Sequence, residues 1–395
     1  MRETSVLIIV ENLTVPIDRR VWQEARTLRD AGYRVSIICP KGSGFQKSRE
    51  TLEGIEIYRH ALWEASGALG YLLEYSWALA IQFLLSLRIY ARTRFRIIQA
   101  CNPPDTIFLI ALFYKLLGVR FIFDHHDLNP ELYETKFGRR DMGYKLVCWA
   151  ERMTFQTADV SIATNESYRE VALTRGHMPR ERTFVVRSCP DLDRIRILPP
   201  QAELKRGRQH LVVYLGVMGY QDGLDLWLES IALITKLHKY DDTFFVLIGS
   251  GPELPRLKEL AKQKGLEAQV LFTGRLPDED VAAFFSTAAF GVAPDRATPM
   301  NDKSTMNKIL EYMAFGLPVV LYDLTEGRRS AGDAALYAHK DDPADFAQKA
   351  MTLLDSEALR AELGARARKR IEEELNWGNE KRALLEAYAM ALKQR

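Results

Sequence analysis

The chain has 395 residues, more than one hydrophobic core usually organises, so two domains are expected. Hydrophobic residues make up 47% and charged residues 27%, a balance that excludes a disordered chain. The formal net charge of +2 argues against a general nucleic-acid binder and against nucleic acid as a partner.

In chain order, short apolar runs alternate with helical stretches. Residues 6–10 read as a buried strand, too short and too early for a signal peptide. A helix follows over 19–31, ending at Gly32, and further strands are predicted at 35–39, 55–59, 97–100, 121–123, 160–163 and 184–186. A polar, proline-bearing stretch at 199–209 interrupts the series. Strands resume at 211–215, 244–248, 270–272, 290–293 and 319–321. Such alternation predicts two doubly wound α/β domains with parallel sheets, joined near 199–209.

Charge and cysteine content add two expectations. Residues 1–200 carry 28 Lys+Arg against 23 Asp+Glu, while the remainder carries 26 against 29, so the near-neutral total hides a basic first half. Cys39, Cys101, Cys148 and Cys189 are far apart and include no Cys-x-x-Cys pair, which points to a reducing, cytoplasmic setting without a zinc or disulfide framework. The apolar segment 69–90 has only Glu74 and Arg88 charged, and its uncharged run is below the ~18 residues of a membrane span. Two readings stand: a buried helix, or an interfacial helix whose following Arg88, Arg92, Arg94 and Arg96 meet anionic lipid.

The densest motif runs from Asn301 to Val320: a loop, a helix start, a two-turn helix ending at Gly316, and a strand. Asp302 or Ser304 is placed to cap that helix, whose first N–H groups form a ready anion site. Lys308 and Glu311 share one helix face. The spacing alone leaves two readings: an exposed Lys–Glu pair, or a lysine for a leaving phosphate and a carboxylate for sugar or ribose hydroxyls. In the first half, Asp124-His125-His126-Asp127 follows a strand directly, at the carboxyl end where ligands bind in parallel sheets. There the residues leave open caps, a metal site or a substrate contact. Asp191-x-Asp193 and Asp278-x-Asp280 have metal-binding spacing but read as structural.

Taken together, Val15–Val35 with its Asp18-Arg19-Arg20 loop, Leu215-Gly216-Val217, Gln221-Asp222-Gly223, Ile248-Gly249-Ser250-Gly251-Pro252, Phe272-Thr273-Gly274-Arg275-Leu276 and Asn307-Lys308…Glu311 resemble the retaining glycosyltransferases of family GT4, of the bacterial surface-polysaccharide type. The resemblance implies the GT-B fold, two Rossmann-like doubly wound parallel-sheet domains facing a central cleft. The first domain, 1–203 completed by a C-terminal helix over 380–395, would bind the acceptor. The second, 204–379, would bind the nucleotide sugar. Glu311 would hold the donor ribose, and Lys308 with the amides of Thr305, Met306 and Asn307 the diphosphate, with Lys303 and Ser304 beside them. Gly216, Gly249 and Gly251 would let the backbone approach the nucleotide, and Arg275 and Leu276 would lie by the base.

In the first domain the resemblance implies that His126 contacts the transferred sugar near its reacting centre. Arg19, Arg20, Asn102, His125, Asp127 and Glu131 would face the acceptor. No cofactor or metal is implied; the nucleotide sugar, expected to be a UDP-sugar, is a substrate. The implied partners are that donor, a lipid-linked saccharide acceptor and the inner face of the cell membrane, with the protein cytoplasmic and peripheral. On this expectation Lys308→Ala lowers turnover with the fold intact. The chain departs from many relatives in having Lys303 where a first glutamate is common and in lacking an Arg/Lys pair around Gly216–Gly223. A GT-B nucleotide-sugar epimerase and a non-catalytic sugar-nucleotide-binding scaffold are the rival readings.

Overall fold

The computed structural model describes residues 4–61 and 67–393; for 67–73 and 75 it describes the backbone alone. Two compact units part at Ser188/Cys189 and again at Asn379/Glu380, so the chain leaves the first unit once and returns to it at the end. The stretch 199–209 lies inside the second unit. There Leu198 N donates to Ser286 and Gln201 N to Thr287, which ties the segment to a helix of that unit rather than leaving it as a hinge.

The first unit contains, in order, β1 (Ser5–Val10), α1 (Arg19–Asp30), β2 (Arg34–Pro40), β3 (Arg49–Leu52), β4 (Ile55–His60) and α2 (Gly67–Thr93). It continues with β5 (Ile97–Cys101), α3 (Phe108–Lys115), β6 (Arg120–His125), α4 (Asn129–Phe137), α5 (Met142–Thr157), β7 (Val160–Ala163), α6 (Glu166–Thr174) and β8 (Thr183–Val185). Its eight strands lie in the order β3-β4-β2-β1-β5-β6-β7-β8. All pairs are parallel except β3 with β4, an antiparallel edge that the sequence pattern does not announce because Arg49–Leu52 is half exposed and polar. β1 is buried throughout, as a central strand covered on both faces must be.

Helix α2 buries Ala78, Gln82, Ser86 and Ile89, positions three or four apart, and exposes Trp77, Leu84 and Leu87 on the other side. It is therefore neither fully buried nor a span: no helix among the described residues is long and apolar enough to cross a membrane. The side chains of 69–73 and 75 in the predicted apolar segment lie outside the described residues.

The second unit runs β9 (His210–Leu215), α7 (Leu224–Thr235), β10 (Thr243–Ile248), α8 (Leu254–Gln263), β11 (Val270–Gly274), α9 (Asp278–Thr287) and β12 (Phe290–Ala293). Then come α10 (Pro299–Lys303), α11 (Asn307–Ala314), β13 (Val319–Tyr322), α12 (Thr325–Ala331), β14 (Ala335–Ala338), α13 (Pro343–Asp355), α14 (Glu357–Glu373) and α15 (Trp377–Lys393). The six strands are all parallel, in the order β11-β10-β9-β12-β13-β14. One apolar cluster centres on Trp227, Phe245 and Phe346, the other on Val213, Phe285 and Tyr312, so both faces of the sheet are covered. From Glu380 onward α15 packs in the first unit, where the Tyr388 hydroxyl donates to Gln99 and Glu380 accepts from the Arg187 amide.

Candidate active site

In a doubly wound sheet, the crevice for ligands lies at the carboxyl ends of the strands where the strand order reverses. In the second unit that point falls between β9, which leads into Gly216, and β12, which leads into Asp295. Lys308, in the first turn of α11, reaches it. Its Nζ stands 2.7 Å from Asp295 Oδ1 and 3.5 Å from Asp222 Oδ1, donates to the Tyr214 hydroxyl at 3.4 Å, and lies 4.7 Å over the Tyr214 ring. Asp222 in turn accepts from the Gly219 amide at 3.0 Å. One lysine thus ties a helix to two strand-end loops. Burial opposes its charge, but Asp295 and Asp222 outweigh burial and raise its pKa. Burial raises that of Asp222, with Lys308 opposing.

The reading of Lys308 as half of an exposed Lys–Glu pair is thereby corrected: it is 8% exposed and committed to carboxylates from other elements. Its charge is matched inside the fold, so it also acts as a structural tie. The expected caps are corrected too. Asp302 accepts from Thr325 N at 3.1 Å and Thr325 Oγ1 at 2.7 Å, and Ser304 donates to Met300 O at 2.8 Å. The short helix α10, capped by Thr298, draws both away. Met306 occupies the N-cap of α11 and makes no side-chain cap hydrogen bond. Asn307 is exposed there; Lys303, Ser304, Thr305 and Met306 are half-buried on the approach, and Glu311 is half-buried one turn on.

The glycines of the neighbouring loops have a packing reason. At Gly249 φ is +136°, and a Cβ would fall 1.8 Å from the Gly216 carbonyl oxygen; at Gly251 it would fall 2.5 Å from the Met218 oxygen. These glycines let two strand-end loops abut, whatever else approaches them. Arg275, beyond β11, is exposed, while Leu276 packs on the core.

In the first unit, β6 splits its side chains by alternation. Asp124 faces α1 and is the hub of a buried network. Arg20 donates to its Oδ1 at 2.8 Å, Gln99 to its Oδ2 at 2.9 Å, and His126 Nε2 lies 2.7 Å from Oδ2. Arg20 also stands 3.1 Å from Glu24, which accepts from Gln99 at 2.6 Å. Burial opposes ionisation of Asp124, yet Arg20 and His126 hold its pKa below the usual range. Burial likewise opposes the His126 cation, but Asp124 raises its pKa overall. For Glu24 burial wins over Arg20 and its pKa rises.

His125 points to the opposite face. It is packed among Phe123, Phe155 and Tyr168, with ring centroids 5.2–5.3 Å away, and burial lowers its pKa to about 3. The expectation that it faces the acceptor is corrected: strand alternation puts it in the aromatic core. Arg20 is corrected as well, being buried and bound to Asp124 and to Val186 O at 2.6 Å; its neighbour Arg19 is exposed. Glu131 gives both carboxylate oxygens to Arg175, at 3.0 Å each. Asn102 is buried and shapes the loop, accepting from the amides of His126 and Asp127 at 2.7 and 3.1 Å. Asp127 is half-buried, and burial raises its pKa. Cys101, Asp124 and His126 bring three ligand-type atoms within 4.8 Å of one another, but the Arg20 guanidinium already lies against Asp124 and would repel a metal cation. The hub role of Asp124, and Glu24, Gln99, Asp222 and Asp295, were missed from sequence; polar residues closing apolar strands were the available signal.

Solved structures define the class. A sucrose-phosphate synthase from Thermosynechococcus elongatus superposes with a TM-score of 0.80 at 17% identity, covering 99% of both chains. HepE from Anabaena, in complex with UDP and glucose, gives 0.73 at 12% identity, covering 98% of this chain and 100% of that one. The fold is GT-B. A family model described as "Glycosyl transferase 4-like domain" matches residues 17–189, and one described as "Glycosyl transferases group 1" matches 209–356. The chain belongs to the GT4 glycosyltransferases. It is 29% identical over 231 residues to D-inositol 3-phosphate glycosyltransferase of Acidothermus cellulolyticus, a match spanning 51% of this chain and about half (49%) of that relative. To 2-deoxystreptamine glucosyltransferase of Streptomyces kanamyceticus it is 22% identical over 263 residues, 64% of this chain and 66% of the relative.

Two outcomes follow from these networks. Lys308→Ala leaves two buried carboxylates without their cation, so urea unfolding is expected to show a loss of about 3–5 kcal/mol, partly recovered when Asp295→Asn is added. Unchanged stability with abolished turnover would place the lysine charge on a ligand instead. Glu24 keeps its proton to a higher pH when folded than when unfolded, so the folded state binds more protons and stability falls as pH rises from 4.5 to about 8. His126 has the same sign: its contribution is full below 6.5 and is lost as pH rises through its raised folded value. Thermal unfolding across this range is expected to show a shallower decline for Glu24→Gln than for the parent protein; an identical slope would mean that Glu24 is ionised in the fold.

Proposed function

We propose that the chain is a retaining glycosyltransferase that moves a hexosyl group from a UDP-sugar to a lipid-linked glycan acceptor in surface-polysaccharide assembly. It would work in the cytoplasm at the inner face of the cell membrane, without a metal. The observation that carries the reading is the start of α11. Its N-cap residue, Met306, supplies no side-chain acceptor to the N–H groups there, which lie in the chain next to the Lys308 tie at the strand-order reversal of the second unit. A departing diphosphate gathers negative charge as the sugar takes on oxocarbenium character, and prepositioned amide donors at a helix start oppose that charge without reorganising. Because Asp295 and Asp222 match the Lys308 charge, the amides of Thr305, Met306 and Asn307, with Lys303 on the approach, are assigned the diphosphate, and Glu311 the ribose.

UDP is favoured because HepE and a trehalose-6-phosphate enzyme from E. coli, both of this fold, have structures with UDP or a UDP-sugar. In the first unit, Asp124 and Arg20 orient the His126 ring, and Asp124 raises its pKa, which suits it to contact the transferred sugar. A thermal-shift series with UDP-, GDP- and dTDP-sugars tests the donor. A UDP-sugar at a hundred times its Kd is expected to stabilise by ~2.7 kcal/mol; a shift with GDP-sugars alone would reject the UDP assignment. His126→Ala is expected to lower kcat/KM about 10- to 100-fold, the worth of one charged hydrogen bond. Retention of near-full activity would remove His126 from the reaction.

A further inference from the structure

Among the described residues, the first unit carries an apolar face left exposed. Among the described residues, thirteen of the twenty exposed large hydrophobics fall between Trp77 and Trp149, on four helices and the turn that ends α3. On α2 they include Trp77 and Leu84, on α3 Leu109 and Leu112 with Leu116 just past its end, and on α5 Leu146 and Trp149. Leu116 is 86% exposed. The helices are contiguous: Phe83 of α2 meets Phe113 of α3 edge-on at 5.1 Å, and Phe108 of α3 meets Trp149 of α5 at 6.0 Å. A soluble surface rarely gathers so much exposed apolar area in one place without a partner.

The charges of this face decide what that partner is. Among the described residues, the exposed charged side chains of α2, α3 and α5 are Arg88, Arg92, Lys145 and Arg152, all positive. Glu151, the acid of α5, is buried against Arg175. On α5 the cations interleave with the apolar positions at helical spacing: Met142, Lys145, Leu146, Trp149 and Arg152 lie on one exposed side. An apolar face studded with Trp and Leu and bearing cations alone is complementary to a bilayer interface with anionic head groups, where aromatic rings sit at head-group depth.

We infer that α3 and α5, flanked by α2, form a membrane-docking face for an anionic phospholipid bilayer. This deepens the lipid-linked acceptor reading and moves the contact from the single segment 69–96 to a composite of three helices. The face would hold the first unit at the level where a lipid-linked sugar leaves the membrane.

The test is co-sedimentation of the full chain with phosphatidylcholine vesicles, with and without phosphatidylglycerol, in the absence of donor and acceptor. Binding is expected only to the anionic vesicles, falling about fivefold for each cation removed in Lys145→Gln and Arg152→Gln. It is expected to be lost in the doubly substituted Leu116→Asp, Trp149→Asp chain, both positions being exposed and their loss harmless to folding by circular dichroism. Leu237→Asp, on an exposed position of the second unit, is the control and keeps binding. Failure of the parent protein to sediment with anionic vesicles would overturn the inference. So would a dimer seen by light scattering that Leu116→Asp converts to monomer, since a second copy would then own the face. Thermal shifts by nucleotide sugars are unaffected by these substitutions, so failure here leaves the transferase reading separately testable.

Discussion

A charge buried at the carboxyl edge of a parallel sheet is strongly unfavourable unless an opposite charge is buried with it. Both units are organised around that constraint. In the second, Lys308 is wedged between Asp295 and Asp222; in the first, Arg20 is paired with Asp124, with Glu24 beside it. Each cation joins a helix to the ends of two strands or loops, and Lys308 sits at the strand-order reversal of its sheet. The ionic ties therefore fix the backbone around them: the start of α11 in one unit, and the end of β6 with His126 in the other.

On the proposed reading, this arrangement stands in for an Arg/Lys pair around Gly216–Gly223. An exposed Arg/Lys pair meets a diphosphate with free charge, whereas Lys308 is already balanced. On that reading, local neutrality would shift charge stabilisation toward amide dipoles, which need no counterion and lose no side-chain entropy on binding. The same balance makes the sites sensitive to the removal of one partner, because what remains is an unmatched ion in a dry place.

The sheets were readable in the sequence because buried parallel strands are continuous apolar runs, as Val6–Val10 and Phe244–Ile248 are. β3 was not, being a half-exposed polar edge, and neither was β14, whose run Ala335–Ala338 has little bulk. The order of glycine loops and the Asn307-Lys308…Glu311 element disclosed the family. What could not be read was direction. His125 and His126 are neighbours with the same chemistry, yet alternation at the end of β6 sends one into an aromatic core and leaves the other against Asp124. Which of two adjacent side chains faces a crevice depends on register, and register is set by partners 24 or more residues away, such as Asn102 accepting from the His126 amide.

Net charge is likewise a matter of placement. The excess of positive charge in the first half of the sequence counts Arg20, Arg59 and Arg175, each of which is matched by carboxylates within the fold. Those cations hold loops and contribute little to the field outside. Arg88, Arg92, Lys145 and Arg152 are different, standing exposed beside Trp and Leu with no exposed acid on the same helices. A surface attracts what approaches it according to the charges it shows, and screening limits their reach to about 10 Å. The sum over a sequence cannot separate the two populations; burial does, and it leaves one basic, apolar side on an otherwise near-neutral protein.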